Sequence, residues 1–210
     1  MESDRLRQLL AERAGHASLA LPPPLVEKLE RYYHLLSRWN IRINLTSLPL
    51  DDPTEQTIDR LLIEPVLATR LVAENVSVWF DLGSGGGSPA IPMQLARPAG
   101  RLIMVESRER KAAFLADAIR EVPVENAEVL VARIEQVSAD PQNAGVADLV
   151  SVRAVRVDAR LLSQVQVLLR FRGQALFFGT SIAKDALPRG LEVVSHPLDS
   201  RFVILVRTGV

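Results

Sequence analysis

The chain has no cysteine, only three histidines and ten aromatic residues among 210. Without cysteine there is neither a disulfide framework nor a thiolate metal site, a usage that fits the reducing cytoplasm, which is the expected compartment. The histidines, His16, His34 and His196, share no ligand spacing, so no resident metal is expected. No apolar run reaches the roughly eighteen residues that a membrane-spanning helix needs, and no membrane partner is expected. The opening "MESDRLRQLLAERAG" is charged and lacks the apolar centre of a signal peptide. Acidic and basic residues balance at 25 each, which excludes a protein that is basic all over, although a balanced total can carry a basic face. Lysine is scarce as well: 22 of the 25 basic residues are arginine, whose planar fork suits phosphates and stacks on bases.

What is present is a helical segment followed by strands alternating with helices. Leu25, Leu29, Tyr32, Leu36 and Trp39 recur at helical spacing behind the prolines at 22 to 24, and "NIRINLTS" then breaks the pattern. In "DDPTE", Asp52 reads as a helix cap, with Pro53 at the first helical position and Glu55 three residues after the cap. The helix "TIDRLLIEPVLATRLV" contains Pro65, which should kink or split it. From Asn75 onward, "VSVWFDL", "RLIMVE", "AEVLVA", "ADLVSVRAV" and "GQALFFGT" read as strands. The helices among them are "PAIPMQLA", "RERKAAFLADAIREV" and "DARLLSQVQVLLRF". Parallel strands joined by right-handed crossovers make a doubly wound open sheet. "LEVVSH" and "RFVILVRT", separated by "PLDS", read as a hairpin at its edge. Residues 1–75 are expected to be a helical extension packed on a sheet domain of residues 76–210.

In such a sheet, ligands bind beyond the carboxyl ends of the strands, and the first strand-to-helix turn is the usual place. Here that turn is "DLGSGGGSPAIP", Asp81 to Pro92, with glycines at 83, 85, 86 and 87. A dinucleotide motif needs glycine at its first, third and sixth places; counted from Gly83 the sixth place is Ser88. Counted from Gly85 it is Ala90, and the strand would then have to end later than "VWFDL" implies. No Gly-Lys-Ser/Thr follows, so a phosphate loop is excluded too. The spacing that fits is acid-x-Gly-x-Gly-x-Gly at Asp81, Gly83, Gly85 and Gly87. It resembles the first motif of Rossmann-like S-adenosylmethionine-dependent methyltransferases. An acid there can attract a sulfonium cation and bond its ammonium group, while the glycines admit the methionine chain. Glu106, at the end of the next strand, is placed to accept ribose hydroxyls.

The stretch after the fourth strand, "ADLVSVRAV", lacks the Asp/Asn-Pro-Pro-aromatic motif of enzymes that methylate exocyclic amines. Nor is there a cysteine to form a covalent base adduct. A nucleophile that needs no deprotonation suits such a site, and guanine N7 is one. Taken together, "YYHLLSRWNIRINLTSL", "DLGSGGGSPAIPMQLARP", "ESRERKAAFL", "ARIEQV" and "DLVSVRAV" resemble the glucose-inhibited division protein B family. These are small-subunit (16S) ribosomal RNA guanine-N7 methyltransferases.

The resemblance implies a seven-stranded, mostly parallel Rossmann-like methyltransferase sheet with S-adenosyl-L-methionine as cofactor. Its partner would be small-subunit ribosomal RNA or the assembling small subunit. It implies a cofactor pocket from Asp81, Gly83, Ser84, Gly85, Gly87 and Pro89, with Glu106 and Ser107 at the ribose. Arg133, Ile134 and Glu135 would lie beside the adenine, and Arg153 would face both cofactor and base as the catalytic residue. Asn44 and Thr46 would shape the mouth, though these and Asn40 also read as caps of the helix end. Arg108, Arg110, Lys111, Arg38 and Arg42 are the candidate RNA contacts. The chain departs from the family at Glu64-Pro65-Val66 in place of Asp-Ser-Leu, Arg110-Lys111 in place of Lys-Arg, and Pro89-Ala90-Ile91-Pro92 in place of Pro-Gly-Ile-Pro. At Phe178-Gly179 it replaces Lys-Gly, which should cost about one phosphate contact. That loss leaves open another RNA or small-molecule substrate, or a non-catalytic module that binds ribosome or RNA.

Overall fold

The computed structural model describes residues 2–98, 100–194 and 201–209. Two helices open the chain, α1 (Glu2–His16) and α2 (Pro23–Asn40). Helix α2 begins at the expected prolines, and its buried Leu25, Leu29, Tyr32 and Leu36 form the apolar stripe predicted from their spacing. The next helix is capped by Thr54, two residues later than expected. The Thr54 hydroxyl accepts the Thr57 amide at 3.2 Å, while Asp52 pairs with Arg5 at 2.9 Å.

The segment around Pro65 splits into α3 (Glu55–Ile58), a π-helical turn (Asp59–Ile63) and α4 (Glu64–Ala68). Helix α1 is tied to this turn by Arg13, which donates to both carboxylate oxygens of Asp59 at 2.9 and 2.7 Å and to Glu55 at 2.7 Å.

The sheet contains β1 (Val78–Leu82), β2 (Arg101–Glu106), β3 (Ala127–Val131), β4 (Ala147–Arg153) and β5 (Leu169–Phe178). It is completed by β6 (Leu191–Val194) and β7 (Phe202–Arg207). Their spatial order is β3-β2-β1-β4-β5-β7-β6; the first five are parallel and β7 is antiparallel to both of its neighbours. The crossovers are α5 (Ala90–Ala96), α6 (Glu109–Glu121), α7 (Ile134–Ala139) and α8 (Ala159–Leu168). Helix α7 was not anticipated, since six residues are too few to establish a helical period. The expected hairpin is present as β6 and β7, and its "PLDS" turn, like His196, lies outside the described residues.

Strand β5 begins at Leu169, four residues earlier than its apolar run suggested, and takes the end of the expected helix. Leu169 pairs with Ala147, after which the register shifts at a bulge where Arg172 adopts a left-handed φ of 62°. Long-range pairing overrides the helical period there.

Two apolar layers cover the sheet. One joins α1, α2, α5 and α6 to Trp79, Met104, Leu149, Leu176 and Phe178; the other joins α7 and α8 to Phe80, Val105, Val150, Val152 and Phe177. The two-residue alternation of the strands makes this division, so Asp81 falls on the same face as Trp79. No described helix is long and apolar enough to cross a membrane.

The bulge has a direct test. A Cβ at Gly173 would stand 2.6 Å from the Ala147 carbonyl, a backbone atom that cannot yield without loosening β4 from β5. Gly173→Ala should therefore lower the unfolding free energy by about 1–3 kcal/mol, read by urea denaturation.

Candidate active site

The chain winds from β1 outward to β2 and β3, then returns to β4 on the other side of β1. This places the switch point between β1 and β4, where a crevice opens at their carboxyl ends. The register brings Asp81 opposite Ser151 and Arg153 opposite Phe178. With Glu106, these side chains occupy the face that the N-terminal helices cover.

The glycine turn leaves β1 with the amides of Gly83 and Ser84 both donating to the Val105 carbonyl, at 2.9 and 3.1 Å. Gly83, Gly85 and Gly87 all have left-handed φ, but they differ in surroundings. A Cβ at Gly83 would meet Val155 at 2.7 Å and one at Gly87 would meet Ile91 at 2.5 Å, so these two let the turn pack. At Gly85 the nearest atoms are 3.7 Å or more away, so its bare side faces space that a ligand can use. Glu106 fixes the turn: Oε2 accepts the Gly85 amide at 3.0 Å and Oε1 accepts the Arg108 amide at 2.9 Å. Tyr32 of α2 reaches over and donates to the Gly86 carbonyl at 2.6 Å. Its burial lifts the phenol well above the usual range and keeps it a neutral donor.

Asp81 is 1% exposed. The Trp79 indole N–H donates to Ser151 Oγ at 2.8 Å, and because an indole can only donate, the serine hydrogen turns to Asp81 Oδ1. Asp81 Oδ2 is buried with no hydrogen-bond partner among the described residues. Burial pushes the carboxyl up to about 6, against the Ser151 hydroxyl, the nearby Ser84 hydroxyl, which donates to the Asp81 main-chain carbonyl at 3.0 Å, and the Arg153 charge. A buried acid with an orphaned oxygen, two residues ahead of the glycine turn, fits the cationic, amine-bearing end of S-adenosylmethionine.

Arg153 ends β4 with its side chain 11% exposed. The π-turn explains how it is held. The amide of Glu64 bonds to the Asp59 carbonyl, five residues back. Pro65 has no N–H to offer either Arg60, five residues back, or Leu61, four back. Those carbonyls are met from the sheet side: Arg153 Nη1 donates to the Arg60 carbonyl, and Ser88 Oγ donates to that of Leu61 at 3.0 Å. Arg153 Nη1 also reaches Ser88 Oγ at 3.1 Å, Nη2 pairs with Glu64 at 2.8 Å, and the guanidinium lies 4.3 Å from the centroid of the Phe178 ring. Burial lowers the Arg153 pKa to about 10, with Glu64 opposing, so it stays cationic at neutral pH. Burial raises the Glu64 carboxyl, with Arg153 opposing.

The loop after α2 closes the cavity. Asn40 Oδ1 accepts the amides of Leu45 and Thr46 at 2.8 and 3.0 Å, so this asparagine shapes the loop. Trp39 anchors the helix end on α6 by donating to Asp117 at 2.8 Å and packing edge-on against Phe114.

The resulting cavity holds about 480 Å³ and is lined by the expected Asn44, Thr46, Gly83, Ser84, Gly85, Glu106, Arg108, Lys111 and Arg153. Asp81 is buried and does not line the cavity, Gly87 serves packing, and Pro89 precedes α5 as its cap residue. Ser107, Arg110, Arg38 and Arg42 are exposed and do not line it. Arg133, Ile134 and Glu135 open α7 outside the lining; the chain just before them is joined to β2 where the Ala132 amide donates to the Glu106 carbonyl. Sequence reasoning missed Tyr32, Arg60, Ser88 and Ser151 as contributors. The two-residue period from Asp81 and Arg153 pointed to Ser151, whereas the others are brought in by tertiary packing.

A family model described as rRNA small subunit methyltransferase G matches residues 25–194. The chain is 33% identical over 188 residues to a ribosomal RNA small subunit methyltransferase G of Roseiflexus sp. (strain RS-1), covering 90% of this chain and 79% of that one. It is 36% identical over 168 residues to the protein of that name from Stenotrophomonas maltophilia (strain K279a), covering 76% and 74%. Among solved structures it is similar to a methyltransferase from Geobacter sulfurreducens, with a TM-score of 0.56, 12% identity and 91% of each chain covered. A SAM-dependent methyltransferase from Aquifex aeolicus gives a TM-score of 0.54 at 12% identity, over 81% of this chain and 96% of that one. At such identities the likeness is one of fold.

Asp81 also makes stability depend on pH. Its folded pKa of about 6 lies above the ordinary 3.8, so between these values the folded state holds a proton that the unfolded state has lost. The contribution to stability therefore falls as pH rises through that window, by about 3 kcal/mol at most. Asp81→Asn should flatten this dependence, seen as a smaller difference in unfolding free energy between about pH 4 and about pH 7 than in the parent protein.

Proposed function

The chain belongs to the rRNA small subunit methyltransferase G family, and from that membership we infer an S-adenosylmethionine-dependent methyltransferase of small-subunit ribosomal RNA, with N7 of a guanine as methyl acceptor. The observation that carries the reading is a pair of opposite, solvent-shielded charges at the switch point, buried Asp81 at the end of β1 before the glycine turn and largely buried Arg153 at the end of β4, where it lines the cavity.

When bound, the cofactor supplies a methyl group activated on a sulfonium. Asp81 would attract its cationic end and accept from the ammonium through Oδ2, and the bare side of Gly85 would admit the methionine chain. Glu106 spends one lone pair of each oxygen on the turn, which leaves acceptor capacity for ribose hydroxyls. Arg133, Ile134 and Glu135 are assigned to the adenine side. Guanine N7 carries a free lone pair, so no base has to remove a proton, and catalysis rests on alignment and electrostatics. Arg153 would align the base. Three of its N–H donors serve Arg60, Ser88 and Glu64, and the other two make no bond among the described residues.

Arg108 and Lys111 at the mouth, with Arg110, Arg38 and Arg42 outside it, are proposed to hold phosphates of an exposed or flipped-out nucleotide. The cytoplasm, where small subunits assemble, is the proposed compartment.

Incubation with methyl-labelled cofactor and either naked 16S RNA or assembled small subunits should place label in RNA, at guanine N7 on mapping. Label confined to small molecules would overturn this function. Arg153→Ala should lower turnover by about 100-fold while cofactor affinity changes by about three-fold or less; the reverse split would move Arg153 into the cofactor shell. Cofactor affinity, followed by calorimetry, should weaken as pH falls through about 6, because protonated Asp81 no longer offers a charge to the cation.

A further inference from the structure

Arg153 is gripped by more than alignment of a base requires, and much of the grip comes from Glu64-Pro65 and Phe178. We propose that Glu64 and Phe178 are positioning residues that hold Arg153 as an oriented and charge-balanced fork for the methyl acceptor. The inference rests on Arg153 meeting the guanine, as proposed above.

The geometry divides the task. Phe178 ends β5 opposite Arg153 in parallel register, so the two side chains run along one face as neighbours. The ring is 4% exposed and is itself pinned edge-on by Phe202, with centroids 5.3 Å apart and planes at 88°. A guanidinium 4.3 Å from the centroid of a fixed ring gains cation–π attraction and loses freedom to swing. Phe178 is thus a support beneath the arginine and no substitute for a phosphate contact. Glu64 takes Nη2 at 2.8 Å, and the Arg60 carbonyl that Pro65 leaves without an amide takes Nη1. Support from the ring and from two separate acceptors fixes where the remaining donors point.

Charge balance follows from the same contact. Methyl transfer to N7 moves positive charge from sulfur onto the base. An unpaired buried arginine beside that base would oppose its arrival, because Coulomb repulsion is weakly screened away from water. Paired with Glu64, Arg153 can hydrogen-bond the base at little electrostatic cost. Removing Glu64 should therefore hurt the chemical step more than binding, and removing Phe178 should loosen orientation.

The test uses the full chain labelled with nitrogen-15 at arginine. In the parent protein the Arg153 guanidinium protons should be resolved, shifted by the Phe178 ring and slowed in rotation. Phe178→Leu should abolish the ring shift and speed the rotation, while Phe178→Tyr, which keeps the ring, should retain both features. Glu64→Gln, similar in shape and uncharged, should lower single-turnover transfer by about ten-fold or more at saturating RNA, with cofactor affinity within about two-fold. Unaltered Arg153 resonances in both Phe178→Leu and Glu64→Gln would overturn the proposal, as would a full transfer rate in Glu64→Gln. Should Phe178→Leu fail to fold, Glu64→Gln decides alone. If the parent protein methylates no ribosomal RNA, the proposed function fails, and the guanidinium resonances still decide whether Glu64 and Phe178 position Arg153.

Discussion

A largely buried cation needs partners, and the guanidinium of Arg153 imposes that constraint on the carboxyl ends of β4 and β5 and on the segments packed against them. An uncompensated charge in such a place would cost several kcal/mol. Its partners come from four parts of the chain: the π-turn gives the Arg60 carbonyl, α4 gives Glu64, the glycine turn gives Ser88, and β5 gives the Phe178 ring. Because the π-turn is in turn clamped to α1 by Arg13 and Asp59, the N-terminal helices are bound to the sheet by polar contacts as well as by their apolar faces. Pro65 is the residue that makes this possible. A proline inside a helix ordinarily costs a backbone hydrogen bond; here the two carbonyls within reach of the missing N–H accept from Arg153 and Ser88 instead.

Asp81 is the counterpart on β1, and its environment is built the opposite way. Arg153 has three donors and one face of its guanidinium engaged, whereas Asp81 receives one directed hydrogen bond through Trp79 and Ser151 and keeps Oδ2 unpartnered. Burial raises its pKa, and the single directed hydrogen bond does not offset it. A site that binds a cation benefits from an acid whose solvation has already been stripped, since the ligand then supplies the missing partner. The asymmetry fits the proposed roles, with a finished support for the base on one side and an unfinished seat for the cofactor on the other.

Much of the fold was legible because strand and helix periods are local. The seven strands, the stripe on α2 and the acid-glycine spacing after β1 all follow from residues a few positions apart. Boundaries decided by distant partners were not. Leu169 reads as helix until Ala147 is beside it, and Asp52 reads as a cap until Arg5 draws it away. The site was legible in the same measure. Asp81, Glu106 and Arg153 stand at strand ends and declare themselves by position, whereas Tyr32, Arg60 and Ser88 matter only through contacts 27 to 93 residues apart.

Phe178 shows why a departure from a family pattern cannot be judged one position at a time. Taken alone, a phenylalanine in place of a lysine removes a positive charge near the expected RNA surface. With its surroundings, the ring lies against the guanidinium of Arg153 and supports a cation that Glu64 already pairs. Glu64, Pro65 and Phe178 are far apart in the chain and converge on one side chain. Their joint presence is coherent in energy terms, because Glu64 and Phe178 contact the largely buried arginine directly and Pro65 leaves it the Arg60 carbonyl.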